Sequence, residues 1–147
     1  MQILSPVAGR AIPLSEVPDP VFAGLMVGPG VGIDPSREPG TAVAPIAGTI
    51  VKLHPHAYVI AGDAGSVLVH LGIDTVQLKG EGFTVHAAEG TTVAAGDAIV
   101  SWDPAAVEAG GKSPAVPVVA LEGSADALSA MVTSGDVAAG DVVFVWG

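Results

Sequence analysis

Three of the four histidines, His54, His56 and His70, fall within one predicted β-hairpin. Apolar, strand-like residues lie on both sides of a turn rich in Gly and Ala and centred on Asp63. If that turn has an odd number of residues, His56 lies directly opposite His70, with Cβ atoms about 5 Å apart. An even-numbered turn would place the two rings on opposite faces of the sheet. We predict the facing arrangement, and we expect the fourth histidine, His86, to be a solvated surface residue.

The predicted hairpin has strands at residues 56–60 and 67–71, joined by a turn at residues 61–65. Side chains alternate faces along a strand, so Tyr58 is expected to lie on the same face as His56.

Two facing imidazoles are suited to phosphoryl transfer. A neutral imidazole is a nucleophile at physiological pH, so one ring could attack phosphorus. The other could donate a hydrogen bond to the phosphoryl oxygens and stabilise their charge. Two or three imidazoles could instead bind zinc, or the rings could be ordinary strand residues with no chemical role. The spacing of the histidines leaves these alternatives open.

Two internal repeats predict the architecture that positions this hairpin. Residues 5–14 resemble residues 44–53, and residues 93–102 resemble residues 137–146, with Val-Ala-Ala-Gly-Asp and a downstream Trp at equal spacing in the second pair. Each repeat is a short strand flanked by a Pro or Gly-Asp turn, and such a unit cannot bury its apolar face alone. We therefore predict an all-β, antiparallel, pseudo-symmetric sandwich or barrel in which the copies pack together.

Helices are predicted to be few and short. Residues 103–110 begin with Asp and Pro and end with Gly, which is typical of a capped helix. Residues 124–132 suggest a second short helix closed by Gly135. Residues 15–40 are rich in Pro and Gly and are expected to form a long ordered loop over the sheet.

Composition indicates one domain spanning residues 1–147, with 50% hydrophobic residues to form its core. The absence of cysteine excludes disulfides and thiolate chemistry. The net charge of −10 argues against nucleic acids and anionic membranes as partners and favours a basic protein. No apolar run approaches the ~20 residues that span a bilayer, and the first residues lack the features of a signal peptide. A cytoplasmic protein is expected.

The exact sequences of several segments are more informative than the overall composition. Residues 69–83 read VHLGIDTVQLKGEGF, residues 17–22 read VPDPVF, residues 44–50 read APIAGTI and residues 56–58 read HAY. These blocks, in this order, resemble the glucose-family enzyme IIA proteins of the bacterial sugar phosphotransferase system. The resemblance covers nearly the whole chain and implies the duplicated-hybrid-motif sandwich of that family.

The resemblance implies a role for each residue near the hairpin. His70 matches the phosphoacceptor, which receives phosphate on Nε2, and His56 matches the supporting histidine that contacts the phosphoryl group. Gly72 matches the residue whose carbonyl holds Nδ1–H of the acceptor. His54 stands where the family usually has a threonine that orients the supporting ring, which makes His54 a candidate relay.

The family also implies partners and a docking surface. Its members take phosphate from the phosphohistidine carrier HPr, pass it to an enzyme IIB, and in some cases bind regulated transporters or metabolic enzymes. No metal or organic cofactor is expected. Asp19 and Asp74 match rim acids that pair with arginines of the partners. The apolar docking patch maps onto six residues: Val21, Phe22, Met26, Val27, Leu68 and Leu71.

Three other functions are weighed against this one. His70, Asp74 and the His54-Pro55-His56 segment resemble parts of the metal motif of lysostaphin-like zinc peptidases, but their order along the chain differs. The Ala-Pro-Ile-Ala-Gly-Thr-Ile segment suggests a biotin or lipoyl carrier, yet neither Lys52 nor Lys79 has a neighbouring Met. A purely regulatory protein that passes no phosphate onward is the third alternative.

Overall fold

Short strands make up most of the regular structure of the protein. A computed structural model describes all residues, 1–147. In chain order the strands are β1 (Gln2–Leu4), β2 (Gly9–Pro13), β3 (Gly30–Pro35), β4 (Gly40–Val43), β5 (Gly48–His54), β6 (Ala57–Ala61), β7 (Ser66–His70), β8 (Thr84–Val85), β9 (Thr92–Val93), β10 (Ala98–Trp102), β11 (Val116–Ala120), β12 (Leu128–Ser129), β13 (Asp136–Val137) and β14 (Val142–Trp146).

The helices are short and lie in the connections between strands. They are α1 (Pro20–Ala23), α2 (Pro104–Ala109) and the 3₁₀ segments Leu14–Glu16, Thr75–Leu78 and Ala125–Ala127. None of them is long and apolar enough to cross a membrane.

Antiparallel pairing joins the strands into three sheets that pack as an open sandwich. The largest has eight strands in the order β13-β2-β3-β11-β7-β6-β5-β9, and two three-stranded sheets have the orders β1-β14-β12 and β4-β10-β8. These orders are symmetric: β13, β2, β3 and β11 on one side correspond to β9, β5, β6 and β7 on the other. The all-β sandwich prediction is confirmed, and the sheets do not close into a barrel.

The correspondence divides the molecule into two copies of one unit. We call β4–β10 the inner copy, because it is continuous in sequence, and β1–β3 with β11–β14 the outer copy. The copies cross-pair where the N-H of Leu4 donates to the carbonyl of Pro45 at 2.9 Å and that of Val43 donates to Pro6 at 3.0 Å. The repeats found in the sequence therefore pack against each other as predicted.

Equivalent turns in the two copies make equivalent hydrogen bonds. In the inner copy the Asp97 carboxylate accepts from the N-H of Ala94 at 2.9 Å. In the outer copy the Asp141 carboxylate accepts from the N-H of Ala138 at 2.8 Å. The repeated Gly-Asp sequence is thus a repeated turn, in which the aspartate caps its own loop.

The main core lies between the sheets and contains 25 buried residues. Tyr58 is fully buried there, and its hydroxyl donates to the carbonyl of Val43 at 2.8 Å. A second, smaller cluster lies on the other face of the large sheet, where residues 14–29 cover it. The buried members of this second cluster are Ile12, Leu14, Val17, Phe22, Ile73, Ala115 and Val119.

The helix at residues 103–110 is confirmed, and the helix predicted at residues 124–132 is wrong. The carboxylate of Asp103 caps α2 by accepting from the N-H groups of Ala105 and Ala106, and Gly110 ends the helix. Residues 124–132 instead contain a single 3₁₀ turn followed by β12, because hydrogen bonding to β14 captures Leu128 and Ser129 as an edge strand.

The predicted loop at residues 15–40 is correct only in part, because β3 runs through it. Val31 and Ile33 are fully buried in this central strand, and glycines alternate with them. A Cβ at Gly32 would lie 2.8 Å from Val17 Cγ2 and 2.9 Å from Ile12 Cγ1. The glycine therefore lets residues 14–29 pack closely on the sheet, which its low strand propensity concealed in the sequence.

Candidate functional site

His70 is the last residue of β7, and its side chain points to the face of the large sheet that residues 14–29 cover. Val67 and Val69 of the same strand are fully buried in the main core, whereas Leu68 packs against the second cluster. Because side chains alternate along a strand, His70 lies on the face covered by residues 14–29. The site is therefore built where a strand end meets that covering segment.

His56 reaches His70 from a turn, not from the facing strand position that we predicted. The β6–β7 turn has an even number of residues, 62–65, and His70 pairs with Ala57. His56 instead lies with Pro55 in the turn between β5 and β6. The predicted register and the shared face with Tyr58 are wrong, because His56 has left the strand.

The two rings nevertheless meet. Their centroids lie 5.2 Å apart with an interplanar angle of 68°, so one ring presents its edge to the other. The backbone holds this arrangement, because the carbonyl of His56 accepts from the N-H of Leu71 at 2.7 Å. That bond extends the β6–β7 ladder by one step and anchors the turn beside His70.

The tautomer of neutral His70 follows from one hydrogen bond. Nδ1 of His70 lies 2.5 Å from the carbonyl oxygen of Gly72. A carbonyl oxygen can only accept, so Nδ1 must carry the proton. In the neutral ring Nε2 then holds a free lone pair, which is the nitrogen a nucleophilic histidine needs.

Gly72 is required by the geometry of this bond. Its φ is +83°, and a Cβ there would lie 2.6 Å from Thr75 Cγ2. Thr75 is fully buried, and its hydroxyl donates to the carbonyl of Leu71 at 2.8 Å. The N-H of Ile73 donates to the carbonyl of Ser113 at 2.8 Å, which ties the loop to the sheet. Sequence reasoning missed Thr75 and Ser113, because nothing in their spacing marks them as supports for a carbonyl.

An apolar side chain packs beside the His70 ring. The ring of Phe22 lies 5.4 Å from that of His70, centroid to centroid, and Phe22 is 8% exposed. It belongs to α1, which Asp19 caps by accepting from the N-H of Val21 at 2.8 Å. Asp19, assigned to the rim by resemblance, thus also fixes the helix that carries Phe22.

The six apolar residues assigned to a docking patch differ in exposure. Met26 is 74% exposed and Val21 is 41% exposed, so both are accessible to a partner. Val27 and Leu68 are partly buried against the second cluster. Leu71 is fully buried in the main core. Its assignment to the docking patch is wrong, because the chain turns inward after His70.

Burial keeps both facing histidines neutral at neutral pH. It lowers the pKa of His70, although the Gly72 carbonyl and the carboxylates of Asp19 and Asp74 act in the opposite direction. Burial also lowers the pKa of His56, to about 4, with smaller contributions from the charges of His70 and His54. The pair therefore offers two uncharged rings beside two acidic side chains.

The remaining histidines differ in their distance from this pair. His54 stacks on His56, with ring centroids 5.6 Å apart and an interplanar angle of 21°. His86 is exposed, as expected, and its Nε2 lies 2.6 Å from the hydroxyl of Ser101. No group of three or more His, Cys, Asp or Glu side chains is arranged to hold a metal ion. The structure thus does not assemble the ligand set that the zinc peptidase alternative requires.

Known proteins resemble this chain in both sequence and fold. The family described as phosphoenolpyruvate-dependent sugar phosphotransferase system, EIIA 1, matches residues 1–125. The glucose-specific EIIA component of Bacillus cereus is 41% identical over 140 residues, which are 93% of this chain and 82% of that protein. Glucose permease IIA from Mycoplasma capricolum superimposes with a TM-score of 0.87 at 34% identity, over 98% of this chain and 94% of that one.

Other relatives contain this unit within a longer chain. The glucose-specific EIICBA component of Streptococcus pneumoniae is 41% identical over 141 residues, which are 94% of this chain but only 19% of that protein. The mannose-specific EIIBCA component of Corynebacterium glutamicum is 48% identical over 106 residues, or 15% of its length. The chain thus spans a fifth or less of these two relatives. With a family match over most of its length and a closely superimposable fold, the chain belongs to the EIIA family of the sugar phosphotransferase system, a family of phosphocarrier components.

Proposed function

We propose that Nε2 of His70 receives a phosphoryl group from the phosphohistidine of HPr and passes it to an enzyme IIB during sugar uptake. The observation that carries this proposal is the hydrogen bond from Nδ1 of His70 to the Gly72 carbonyl. It leaves Nε2 unprotonated and keeps the ring in one orientation. The reaction needs no metal or organic cofactor.

In the proposed step, the Nε2 lone pair forms a bond to phosphorus as the phosphorus–nitrogen bond of the donor breaks. His70 keeps its Nδ1 proton, so its ring becomes positively charged, and the donor imidazole leaves with the electron pair of the broken bond. The Gly72 carbonyl, Asp19 and Asp74 all favour a positively charged His70 ring. The same groups would therefore stabilise the phosphorylated ring.

His56 is placed to stabilise the transferred group. The centroids of its ring and the His70 ring are 5.2 Å apart, so a phosphoryl group on Nε2 of His70 would lie close to His56. The negative charge of that group would raise the pKa of His56 and favour its protonated, hydrogen-bond-donating form. Donors aimed at developing charge are worth about 10²–10³ in rate.

The apolar residues around His70 support a role in handling a labile phosphoryl group. Phe22 covers one side of the ring, and partners could exclude water by closing over the exposed Val21 and Met26. The net charge of −10 would favour partners with a basic docking face.

The names of the relatives support enzyme IIB as the acceptor. The longer relatives are named EIICBA and EIIBCA components, which places an EIIB unit and an EIIA unit in one chain. We propose that the domain acts in the cytoplasm, where metabolism produces phosphoenolpyruvate.

The experiment is a labelling assay with radioactive phosphoenolpyruvate, enzyme I and HPr, followed by addition of enzyme IIB. The wild-type protein should acquire an acid-labile phosphoryl group, and His70→Gln should abolish labelling. His56→Gln should still accept phosphate but donate it to IIB about 10²–10³ times more slowly. His86→Gln, which removes an exposed histidine outside the site, is the matched control and should behave like wild type.

Either of two results would count against the proposal. Labelling of His70→Gln to the wild-type level would place the phosphoryl group elsewhere. Equal donation by the wild-type protein and His56→Gln would remove the assigned role of His56.

A further inference from the structure

We infer that His54 is a positioning residue, which fixes the ring plane that His56 presents to the phosphoryl group. This inference rests on the proposed function, because it concerns the step in which His70 donates phosphate. It assigns a role to a residue outside direct contact with His70.

The local backbone brings the His54 and His56 rings together. His54 is the last residue of β5 and pairs with Ala57, the first residue of β6. Only Pro55 and His56 lie between these paired positions, so the turn is tight. The His54 and His56 rings stack at 5.6 Å with an interplanar angle of only 21°.

The His56 ring needs the support of His54 because contacts with other rings hold it in place. It lies in a turn, is only partly buried, and has ring contacts with His54 and with His70. The Gly72 carbonyl holds the His70 ring, but His56 has no comparable backbone contact to its ring nitrogens.

The two ring contacts of His56 do not survive phosphorylation equally. A phosphoryl group on Nε2 of His70 that accepts a hydrogen bond from His56, as proposed, would come between the two rings and replace their direct contact. The stack between His54 and His56 does not involve His70, so this contact can persist. In the phosphorylated state His54 is therefore the side chain that still restrains the His56 ring.

The nature of the contact distinguishes stacking from proton transfer. The rings are nearly parallel, so His54 offers its face to His56 and not a ring nitrogen. A phenylalanine offers a similar face and has no nitrogen. His54→Phe should therefore preserve the support, whereas His54→Ala should remove it.

The test compares wild type, His54→Ala and His54→Phe in the labelling and donation assays. We expect His54→Ala to donate phosphate to IIB up to about 10²-fold more slowly, since a misplacement of about 1 Å can cost that much in rate. His54→Phe should recover most of the wild-type rate. Labelling from HPr should change much less than donation, because the hydrogen bond to Gly72 that orients His70 does not involve His54. His86→Ala serves as the control for loss of a surface imidazole.

A second measurement follows the His56 ring itself by NMR. His54→Ala should remove the ring-current shift of the His56 ring protons, and His54→Phe should retain one. Both variants should raise the pKa of His56, since the charge of His54 contributes to lowering it. If His54 only stabilised the turn, the ring-current shift of His56 would not differ in this way between His54→Ala and His54→Phe.

The outcomes distinguish this inference from the function on which it rests. If wild type is not labelled at all, the proposed function fails. If wild type carries phosphate and His54→Ala donates at the same rate, only the role of His54 is refuted. If His54→Phe is as slow as His54→Ala while both are folded, His54 acts through a ring nitrogen, and the stacking role is wrong.

Discussion

The two copies of the folding unit share their scaffold and differ in one connection. In the outer copy, residues 14–29 join β2 to β3 and carry a 3₁₀ turn and α1. In the inner copy, the equivalent strands β5 and β6 are joined by Pro55 and His56 alone. The strand order and the aspartate-capped turns are otherwise repeated. Duplication therefore accounts for the sandwich. The two unequal connections account for the side chains around His70, which the repeated strands do not provide.

Both unequal connections converge on His70. The long one contributes Phe22, whose ring centroid is 5.4 Å from that of His70, and the short one contributes His56 at 5.2 Å. One connection covers the acceptor with an apolar ring, and the other supplies a polar ring. A perfectly symmetric duplicate would have two similar sides here and could not offer both environments to one histidine.

The largest expected effect comes from truncating the long connection. Phe22→Ala should lower the free energy of unfolding by about 3 kcal/mol, because it removes a buried aromatic ring from the second cluster. It should also shorten the lifetime of phosphorylated His70, since water gains access to the ring. Urea denaturation and the rate of phosphate release measure the two effects.

Two substitutions control for this result. Met26→Ala changes a residue that is 74% exposed, and it should leave stability within about 0.5 kcal/mol of wild type. Phe22→Leu keeps most of the buried volume and should recover most of the stability. If Met26→Ala is as destabilising as Phe22→Ala, the long connection does not bury Phe22 and expose Met26 as the structure indicates.

A smaller effect tests the equivalence of the copies directly. Asp97→Ala and Asp141→Ala each remove the carboxylate that accepts a backbone hydrogen bond in the corresponding turn. Each should lower the free energy of unfolding by about 1 kcal/mol, and by similar amounts, because the turns have the same geometry. Thermal or urea unfolding of both variants under one set of conditions provides the comparison. A cost in one copy several times that in the other would show that the turns are equivalent in shape but not in energetics.

The sequence predicted the repeated scaffold because its repeats contain the turn residues themselves. The Gly-Asp turns and the Pro-bounded strands are local signals, and each copy reproduces them. Strand β3 was missed because it contains Gly30 and Gly32, and glycine is depleted in strands in general. Only the packing of residues 14–29 on the sheet explains their presence. The edge strand β12 was missed because it is defined by its pairing with β14 and not by a pattern in its own two residues.

The sequence also predicted that His56 and His70 meet, but for the wrong geometric reason. The prediction assumed an odd-numbered turn and two strand positions, whereas the turn is even and His56 lies one residue before β6. Register depends on a single residue, which composition does not define. The carbonyl contact of Gly72 came from resemblance to a family, since a main-chain acceptor leaves no mark in the pattern of side chains.

The smallest effect expected is a pH dependence confined to the inner copy, which contains all four histidines. Burial lowers the pKa of His56 from an ordinary 6.5 to about 4, and it lowers that of His70 as well. Between about pH 4 and 6.5 the unfolded chain therefore binds more protons than the folded one, so these histidines make stability rise with pH in that window. Their contribution is fully present above pH 6.5 and is lost as the pH falls towards 4.

Carboxylates also titrate at acid pH, so the informative quantity is the difference between wild type and His56→Gln. That difference should change steadily from pH 7 to pH 5 in urea unfolding, with the variant showing the shallower slope. The change should be modest, because His56 is only partly buried and solvent screens its charge. Parallel curves for the two proteins would mean that His56 is as well solvated in the folded chain as in the unfolded one, and the polar side of the His70 site would then be open to water.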